Sequence, residues 1–188
     1  MPACSRRDFL LRAAALAALL AASGARAEGI QLAQAEVTLK GEIFQLSGHF
    51  DVQLSGTLEN ALTRGVQLTF VQEVEAQRER DFWLAEDLIE LQRSIRLSYN
   101  ALLRQYYVTL SGVSSTHDTL VDALKAVGDL RDWAILNVKQ TRRKASNRVY
   151  IRMYLDLAQL PKPLQVNALA SSSRWQLDSG WQERSFKF

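Results

Sequence analysis

Hydrophobic residues recur at every second position over much of the chain beyond residue 30. In the segment 44–54 every even position except Gly48 is apolar, and every odd position is polar. This alternation is typical of an antiparallel strand that buries one face and exposes the other. Arg93 interrupts the same pattern in a later segment. The alternation, together with local richness in Val and Tyr, predicts about seven strands: 35–39, 44–54, 66–70, 89–97, 102–110, 133–138 and 149–157.

Three short segments follow the helical period instead. Residues 57–64 predict one helix, which Gly65 ends, and Thr116 is the predicted cap of a second helix, which Gly128 ends. A third helical turn is predicted at 164–170, after two prolines that stop the preceding strand. The apolar stripes are Leu58, Ala61 and Leu62 in the first helix, and Leu120, Val121, Leu124 and Val127 in the second.

These elements predict a mainly β fold: an antiparallel β-sandwich of about seven strands with one to three short packed helices. No internal repeat, low-complexity linker or shift in composition divides the chain after residue 27. We therefore expect a single domain over residues 28–188. A domain of this length can bury roughly 70% of its unfolded surface and needs no disulfide to fold.

The first 27 residues have the pattern of an export signal. Arg6 and Arg7 stand in a charged start, an apolar run extends to Ala22, and an Ala-Arg-Ala sequence ends at Ala27. The paired arginines indicate the twin-arginine route, and the small-residue ending predicts cleavage after Ala27. The apolar run is too short to favour a stable membrane span. We expect a periplasmic protein, which stays tethered to the membrane only if the signal is not cleaved.

Removal of this signal changes the charge of the protein. The whole chain has 23 Lys and Arg against 20 Asp and Glu, but four of the former and one of the latter precede residue 28. The mature part is therefore neutral, and its charge gives no reason to expect a nucleic-acid partner. Cys4 is the only cysteine, so the mature domain has neither a disulfide nor thiol chemistry.

Two segments of the mature chain are strongly charged. The basic segment 139–147 is predicted to connect 133–138 with 148–157 as the two strands of a hairpin. Acidic residues cluster over 73–90. Charged loops are common on protein surfaces, so we expect both segments to be solvated loops. The alternative is that they bind partners of opposite charge.

No motif in the sequence predicts catalysis, a metal or a cofactor. His49 and His117 are the two histidines, and neither belongs to a His-x-His or Glu-x-x-His pattern. His49 is expected on the polar face of its strand and His117 in the first turn of a helix. The serines lie outside nucleophile motifs, and a nucleophilic serine needs a positioned base. We therefore predict no catalytic residue, no metal ligand and no cofactor.

The strand at 149–157 carries the residues best suited to binding. If its apolar side chains face the core, Arg and Tyr alternate on its other face. Both residue types are enriched in binding hot spots. In a competing interpretation the C-terminal segment, with Trp175 and Trp181, covers this face and pairs the arginines internally. The predicted binding residues are Arg148, Tyr150, Arg152 and Tyr154.

Several short phrases, in this order, resemble a bacterial family of exported proteins, the domain-of-unknown-function family DUF4390. They are 58–62 (LENAL), 65–68 (GVQL), 97–102 (LSYNAL), 104–106 (RQY), 155–157 (LDL), 160–163 (LPKP) and 175–181 (WQLDSGW). The resemblance covers about residues 36–186. It implies export to the cell envelope and no assigned activity.

The sequence thus predicts an exported, non-enzymatic binding or interaction module of the bacterial cell envelope. Its expected partner is an envelope or inner-membrane protein, and its oligomeric state stays open. One alternative is an envelope hydrolase of unrecognised type. Another is a carrier of a small apolar ligand held between the sheets, which requires a cavity of roughly 300 Å³ or more.

Overall fold

Two antiparallel sheets form the protein in the computed structural model, which describes residues 29–78, 86–141, 146–170 and 172–187. The strands are β1 (Gly29–Lys40), β2 (Ile43–Gln53), β3 (Leu68–Arg78), β4 (Glu86–Asn100), β5 (Gln105–Leu110), β6 (Val113–His117), β7 (Asp129–Asn137), β8 (Ser146–Leu155) and β9 (Gln182–Lys187). The helices are α1 (Gly56–Thr63), α2 (Leu120–Gly128), α3 (Lys162–Ala170) and α4 (Ser172–Trp175), with 3-10 turns at Val138–Gln140 and Leu157–Gln159.

The sheets differ in width. One has three strands in the order β1-β2-β7, and the other has six in the order β6-β5-β4-β3-β8-β9. Strand β1 contacts β9, and β7 contacts β4. The strands β5 and β6 therefore extend beyond the edge of the narrower sheet. Helix α2 packs against β2 on one side and against β4, β5 and β6 on the other.

The core lies between the facing sides of the sheets, as the alternation predicts. On β2 the apolar even positions are buried, and on β8 the inward residues Val149, Ile151 and Met153 are fully buried. Phe44 and Phe186 meet with ring centroids 5.0 Å apart and close the sandwich where β9 lies beside β1. The predicted β-sandwich is confirmed. None of the helices in the described ranges combines the length and apolar character that a bilayer crossing requires.

The predicted hairpin between 133–138 and 148–157 is wrong. Strand β7 pairs with β2, where Leu136 lies opposite Phe44, whereas β8 pairs with β3, where Ile151 lies opposite Val74. The two strands belong to different sheets, so the basic connector crosses from one sheet to the other. Its residues 142–145 lie outside the described part of the chain. Short sequence separation favours a hairpin but does not choose the partner strand.

The acidic segment is not a loop over most of its length. Strand β3 continues to Arg78 and β4 begins at Glu86, so Glu73, Glu75 and Glu90 lie within strands. Their side chains project from the outer face of the six-stranded sheet. Water can solvate one face of an antiparallel sheet, and alternate charged residues therefore do not interrupt a strand. Glu86 and Asp87 also lie in β4, whereas residues 79–85, which carry Glu79 and Asp81, are not among those described.

The first and third helices lie where the sequence predicts them, but the second begins later. Thr119 caps α2 through its side chain, and Thr116 belongs to β6 instead. The buried stripe of α2 includes Ala123 and Val127, whereas Val121 is 61% exposed. Strands β6 and β9 are absent from the prediction. Both are edge strands composed largely of polar residues, so an apolar alternation does not mark them.

Candidate functional site

The predicted binding residues form a ladder on the outer face of the six-stranded sheet. Because Val149, Ile151 and Met153 point into the core, the alternate side chains of β8 point outward. All four are partly exposed. We call this set the outer ladder: Arg148, Tyr150, Arg152 and Tyr154.

One end of the outer ladder is held by ionic contacts. Arg152 donates two hydrogen bonds to Asp178, of 3.0 and 2.5 Å, and lies 3.7 Å from Glu73. Its hydrogen bond to Asp178 lowers the pKa of that carboxyl group. Tyr154 donates a 2.9 Å hydrogen bond to Glu73, and burial together with this bond raises the pKa of Tyr154 to about 12. The guanidinium of Arg152 also lies near the rings of Tyr154 and Trp181, 4.8 and 5.7 Å from their centroids.

The C-terminal segment therefore pairs Arg152 internally, as the competing interpretation expects for this end. Ser179 accepts a 2.9 Å hydrogen bond from the backbone of Met153, which fastens the segment to β8. The ladder itself is not covered, since Tyr154 and Arg152 both keep partial exposure. The result is an ordered but accessible surface.

The other end of the ladder is surrounded by carboxylates. Arg148 lies 3.4 Å from Glu183, and Tyr150 stands between Glu183 on β9 and Glu75 on β3. Partial burial raises the pKa of Glu75, and the negative charges of Glu90 and other nearby carboxylates raise it further. Negative charge is thus concentrated beside Tyr150.

A second candidate site lies where β5 and β6 extend beyond the three-stranded sheet. The space between them, helix α2 and the edge of the narrower sheet forms a cleft of about 960 Å³. We call it the inter-sheet cleft. Its size meets the requirement stated above for a small-ligand carrier. Its walls are apolar along β5 and charged along α2 and β7.

The position of α2 beside the cleft depends on Gly128. The end of the helix approaches the backbone of β2 so closely that a Cβ atom at residue 128 would overlap the carbonyl oxygen of Phe50. The same atom would also press on the ring of His49. Glycine at this position therefore lets the helix rest directly on the strand.

Arg93 lies at the base of the cleft. Its Nε donates to Oε1 of Gln72 at 2.7 Å and its Nη2 to the backbone oxygen of Asp129 at 3.0 Å. The guanidinium stacks over Trp133, with Cζ 4.3 Å from the ring centroid. Gln72 is fully buried and donates in turn to the backbone oxygen of Val127 at 3.2 Å. Burial lowers the pKa of Arg93 to about 10, against the opposing effect of Asp129, so the group is cationic at neutral pH.

Both histidines also line the inter-sheet cleft. His49 Nε2 lies 3.5 Å from a carboxylate oxygen of Asp51, two residues farther along the same strand. His117 belongs to β6 and not to a helix, and its Nε2 lies 2.9 Å from Oγ of Ser115. The prediction of His117 in a first helical turn is wrong, because Thr119 caps the helix in place of Thr116.

Sequence reasoning did not identify the cleft, although one signal was present. Arg93 occupies an inward position in an otherwise apolar alternation. A charged residue at such a position must find partners inside the fold or line a cavity, and here it does both. The histidines gave no comparable signal, because they come to line one cleft only through the packing of α2 against both β2 and β6.

The comparisons with known proteins agree with the resemblance found in the sequence. The family described as a domain of unknown function, DUF4390, matches residues 27–185. No curated protein and no solved structure matches the chain. Because the matched region spans nearly the whole chain, the protein belongs to the DUF4390 family.

Proposed function

We propose that the protein is an exported, non-enzymatic binding module of the bacterial cell envelope that contacts a protein partner through the outer ladder. The observation that carries this proposal is the order of the ladder. Arg152 and Tyr154 are fixed by Asp178 and Glu73 while they remain partly exposed. Side chains that are ordered before association lose less entropy on binding, so such a surface supports affinity.

The charge beside the ladder indicates the chemistry of the partner. Glu75 and Glu183 flank Tyr150, and the pKa of Glu75 is raised by partial burial and, to a lesser extent, by the neighbouring carboxylates. A cationic group on the partner would relieve this repulsion. We propose an envelope or inner-membrane protein that presents Lys or Arg next to an apolar patch for Tyr150.

Replacing Tyr150 and Arg152 together with Ser should weaken this association strongly and cost only about 1–2 kcal/mol of folding stability. The cost stays small because exposed ion pairs contribute about 0.2–1 kcal/mol each. A matched control replaces Arg96 and Tyr107 with Ser, since these residues carry the same side-chain types on β4 and β5 of the same outer face.

The measurement is photocrosslinking in cells from a benzoylphenylalanine placed at Gln77, which lies opposite Arg148 beside the ladder, or at Gln31 on β1 of the other sheet. We expect a discrete adduct from Gln77 only, which disappears in the ladder variant and persists in the control variant. An adduct that survives the ladder variant would show that the ladder is not the contact surface. A loss of several kcal/mol on Tyr150→Ser alone, measured by urea unfolding, would show that this ring belongs to the core.

Export is tested separately through the N-terminal segment. Changing both Arg6 and Arg7 to Lys should prevent transport of a twin-arginine substrate, and the precursor should accumulate in the cytoplasm. N-terminal sequencing of the wild-type periplasmic form should begin at Glu28, next to the start of the family match. Normal export of the double-Lys variant would contradict the twin-arginine route, and an absence of periplasmic protein in the wild type would contradict export.

A hydrolase is the weaker proposal. A hydrolase with a Ser-His pair would use Ser115, whose hydroxyl lies 2.9 Å from His117. A histidine that activates a serine needs a third group to orient its ring, and among the described residues no carboxylate lies within 4 Å of His117. The carrier proposal has a specific observation in its favour, the inter-sheet cleft.

A further inference from the structure

Arg93 is a half-buried cation that lines the inter-sheet cleft and forms no ion pair among the described residues. Its two hydrogen bonds go to neutral acceptors, the side-chain oxygen of Gln72 and the backbone oxygen of Asp129. A guanidinium has five N–H donors, and within the described residues its Nη1 group makes no hydrogen bond. No carboxylate of the described residues lies within 4 Å of it. The remaining donors are therefore available to a ligand in the inter-sheet cleft.

The other charged residues of the cleft are already paired. Arg131 forms an ion pair with the carboxylate of Asp129. Lys125 lies 4.0 Å from Asp122, and His49 lies 3.5 Å from Asp51. Each of the three carboxylates thus has its own basic neighbour. The lining holds three Lys or Arg and three Asp, and of these cations only Arg93 has no carboxylate within 4 Å among the described residues.

Beyond Arg93 the cleft has an apolar wall. Val108, Leu110 and Val113 follow one another along β5 and β6 on the inner face of the sheet, and the first is 4% exposed. Val113 is 75% exposed and marks the rim. A ligand that touches both features must have an anionic end and an apolar body.

We propose that the inter-sheet cleft binds a single-chain amphiphile whose carboxylate pairs with Arg93 and whose hydrocarbon tail lies along Val108, Leu110 and Val113. The volume of about 960 Å³ lies within the range of small-ligand sites. A carboxylate accepts two parallel hydrogen bonds from a guanidinium, a geometry that adds specificity as well as energy. Burial lowers the pKa of Arg93, and a bound anion would stabilise its charged form.

This site is separate from the outer ladder, so the two proposals can fail independently. The ladder lies on the outer face of the six-stranded sheet, and the cleft lies on its inner face at β5 and β6. A variant of one site is therefore a control for the other.

Three probes distinguish the contributions of head and tail. Decanoate has both, propionate has the carboxylate with almost no tail, and 1-decanol has the tail without the charge. Isothermal titration of the mature protein should show decanoate binding at least about tenfold more tightly than either of the other two, because both parts contribute. Decanoate should also shift the indole N–H resonance of Trp133, which lies under Arg93, more than that of the buried Trp175.

Two glutamate substitutions at exposed positions test where decanoate binds, and neither alters the core. Val113→Glu places a carboxylate at the rim of the cleft, whereas Val121→Glu places one on the exposed face of α2, outside this cleft. The first should weaken decanoate binding at least about tenfold by repelling the anionic probe, and the second should change it less than about twofold. Arg93→Met should abolish the preference for decanoate over 1-decanol if that variant folds.

The proposal is overturned if decanoate fails to bind, or if 1-decanol binds as tightly as decanoate. It is also overturned if Val113→Glu and Val121→Glu bind decanoate equally. These results do not depend on the folding of the Arg93 variant. They leave the outer ladder and its partner untouched.

Discussion

Alanine at Ile151 is expected to lower the free energy of unfolding by about 2–5 kcal/mol. The side chain is fully buried on β8, which is paired on both sides in the six-stranded sheet, and Ile151 lies opposite the equally buried Val74 of β3. Truncation removes buried methyl groups and leaves a cavity that a paired strand between two neighbours cannot collapse to fill. Urea unfolding followed by circular dichroism measures the change.

Val121→Ala is the matched control for this experiment, because it also truncates a β-branched aliphatic residue. Val121 is 61% exposed on α2, and Ala has the higher helix propensity, so its unfolding free energy should change by less than about 0.5 kcal/mol. Equal destabilisation of the two variants would mean either that Ile151 does not face the core or that Val121 does not face the solvent.

Alanine at Gly128 is expected to destabilise the protein by about 3 kcal/mol through overpacking. The added Cβ would overlap the carbonyl oxygen of Phe50, and neither backbone can move without separating α2 from β2. Because α2 forms one wall of the inter-sheet cleft, the variant should also lose decanoate binding even in the folded fraction. Thermal unfolding and titration measure the two effects.

Gly56→Ala supplies the control for the added methyl group. Gly56 is the first residue of α1, and a Cβ there meets open space. Its unfolding free energy should stay the same or rise by up to about 1 kcal/mol, since Ala restricts the unfolded chain and favours a helix. A Gly128 variant as stable as the Gly56 variant would show that α2 does not rest on β2 as described.

The candidate sites differ in how far the sequence predicts them. The outer ladder follows from the alternation along β8 alone, and its outward phase is confirmed by the burial of Ile151 and Met153. Its binding role remains a prediction. Its ion pairs with Glu73 and Asp178 could not be predicted, because they depend on which strand and which segment lie beside β8.

The inter-sheet cleft, in contrast to the outer ladder, could not be predicted from the sequence. Arg93 stands out in the sequence, but its partners Gln72, Asp129 and Trp133 come from β3 and β7 of two different sheets. His49 and His117 are separated along the chain and line one cavity. No local pattern relates these residues, so neither the cleft nor the lack of an ion pair at Arg93 could be derived before the strands were arranged.

Local sequence patterns are sufficient to predict the mainly β class, the inward faces of β2 and β8, and the first and third helices. These features follow from the period of apolar residues and from caps, which are properties of neighbouring positions along the chain. Tertiary structure alone decided that β7 pairs with β2 and β8 with β3, and that the polar strands β6 and β9 complete the larger sheet. Strand pairing depends on contacts between residues distant in sequence, and polar edge strands are held by backbone hydrogen bonds that any residue except proline can donate. The unequal width of the sheets, and with it the inter-sheet cleft, is a consequence of that pairing.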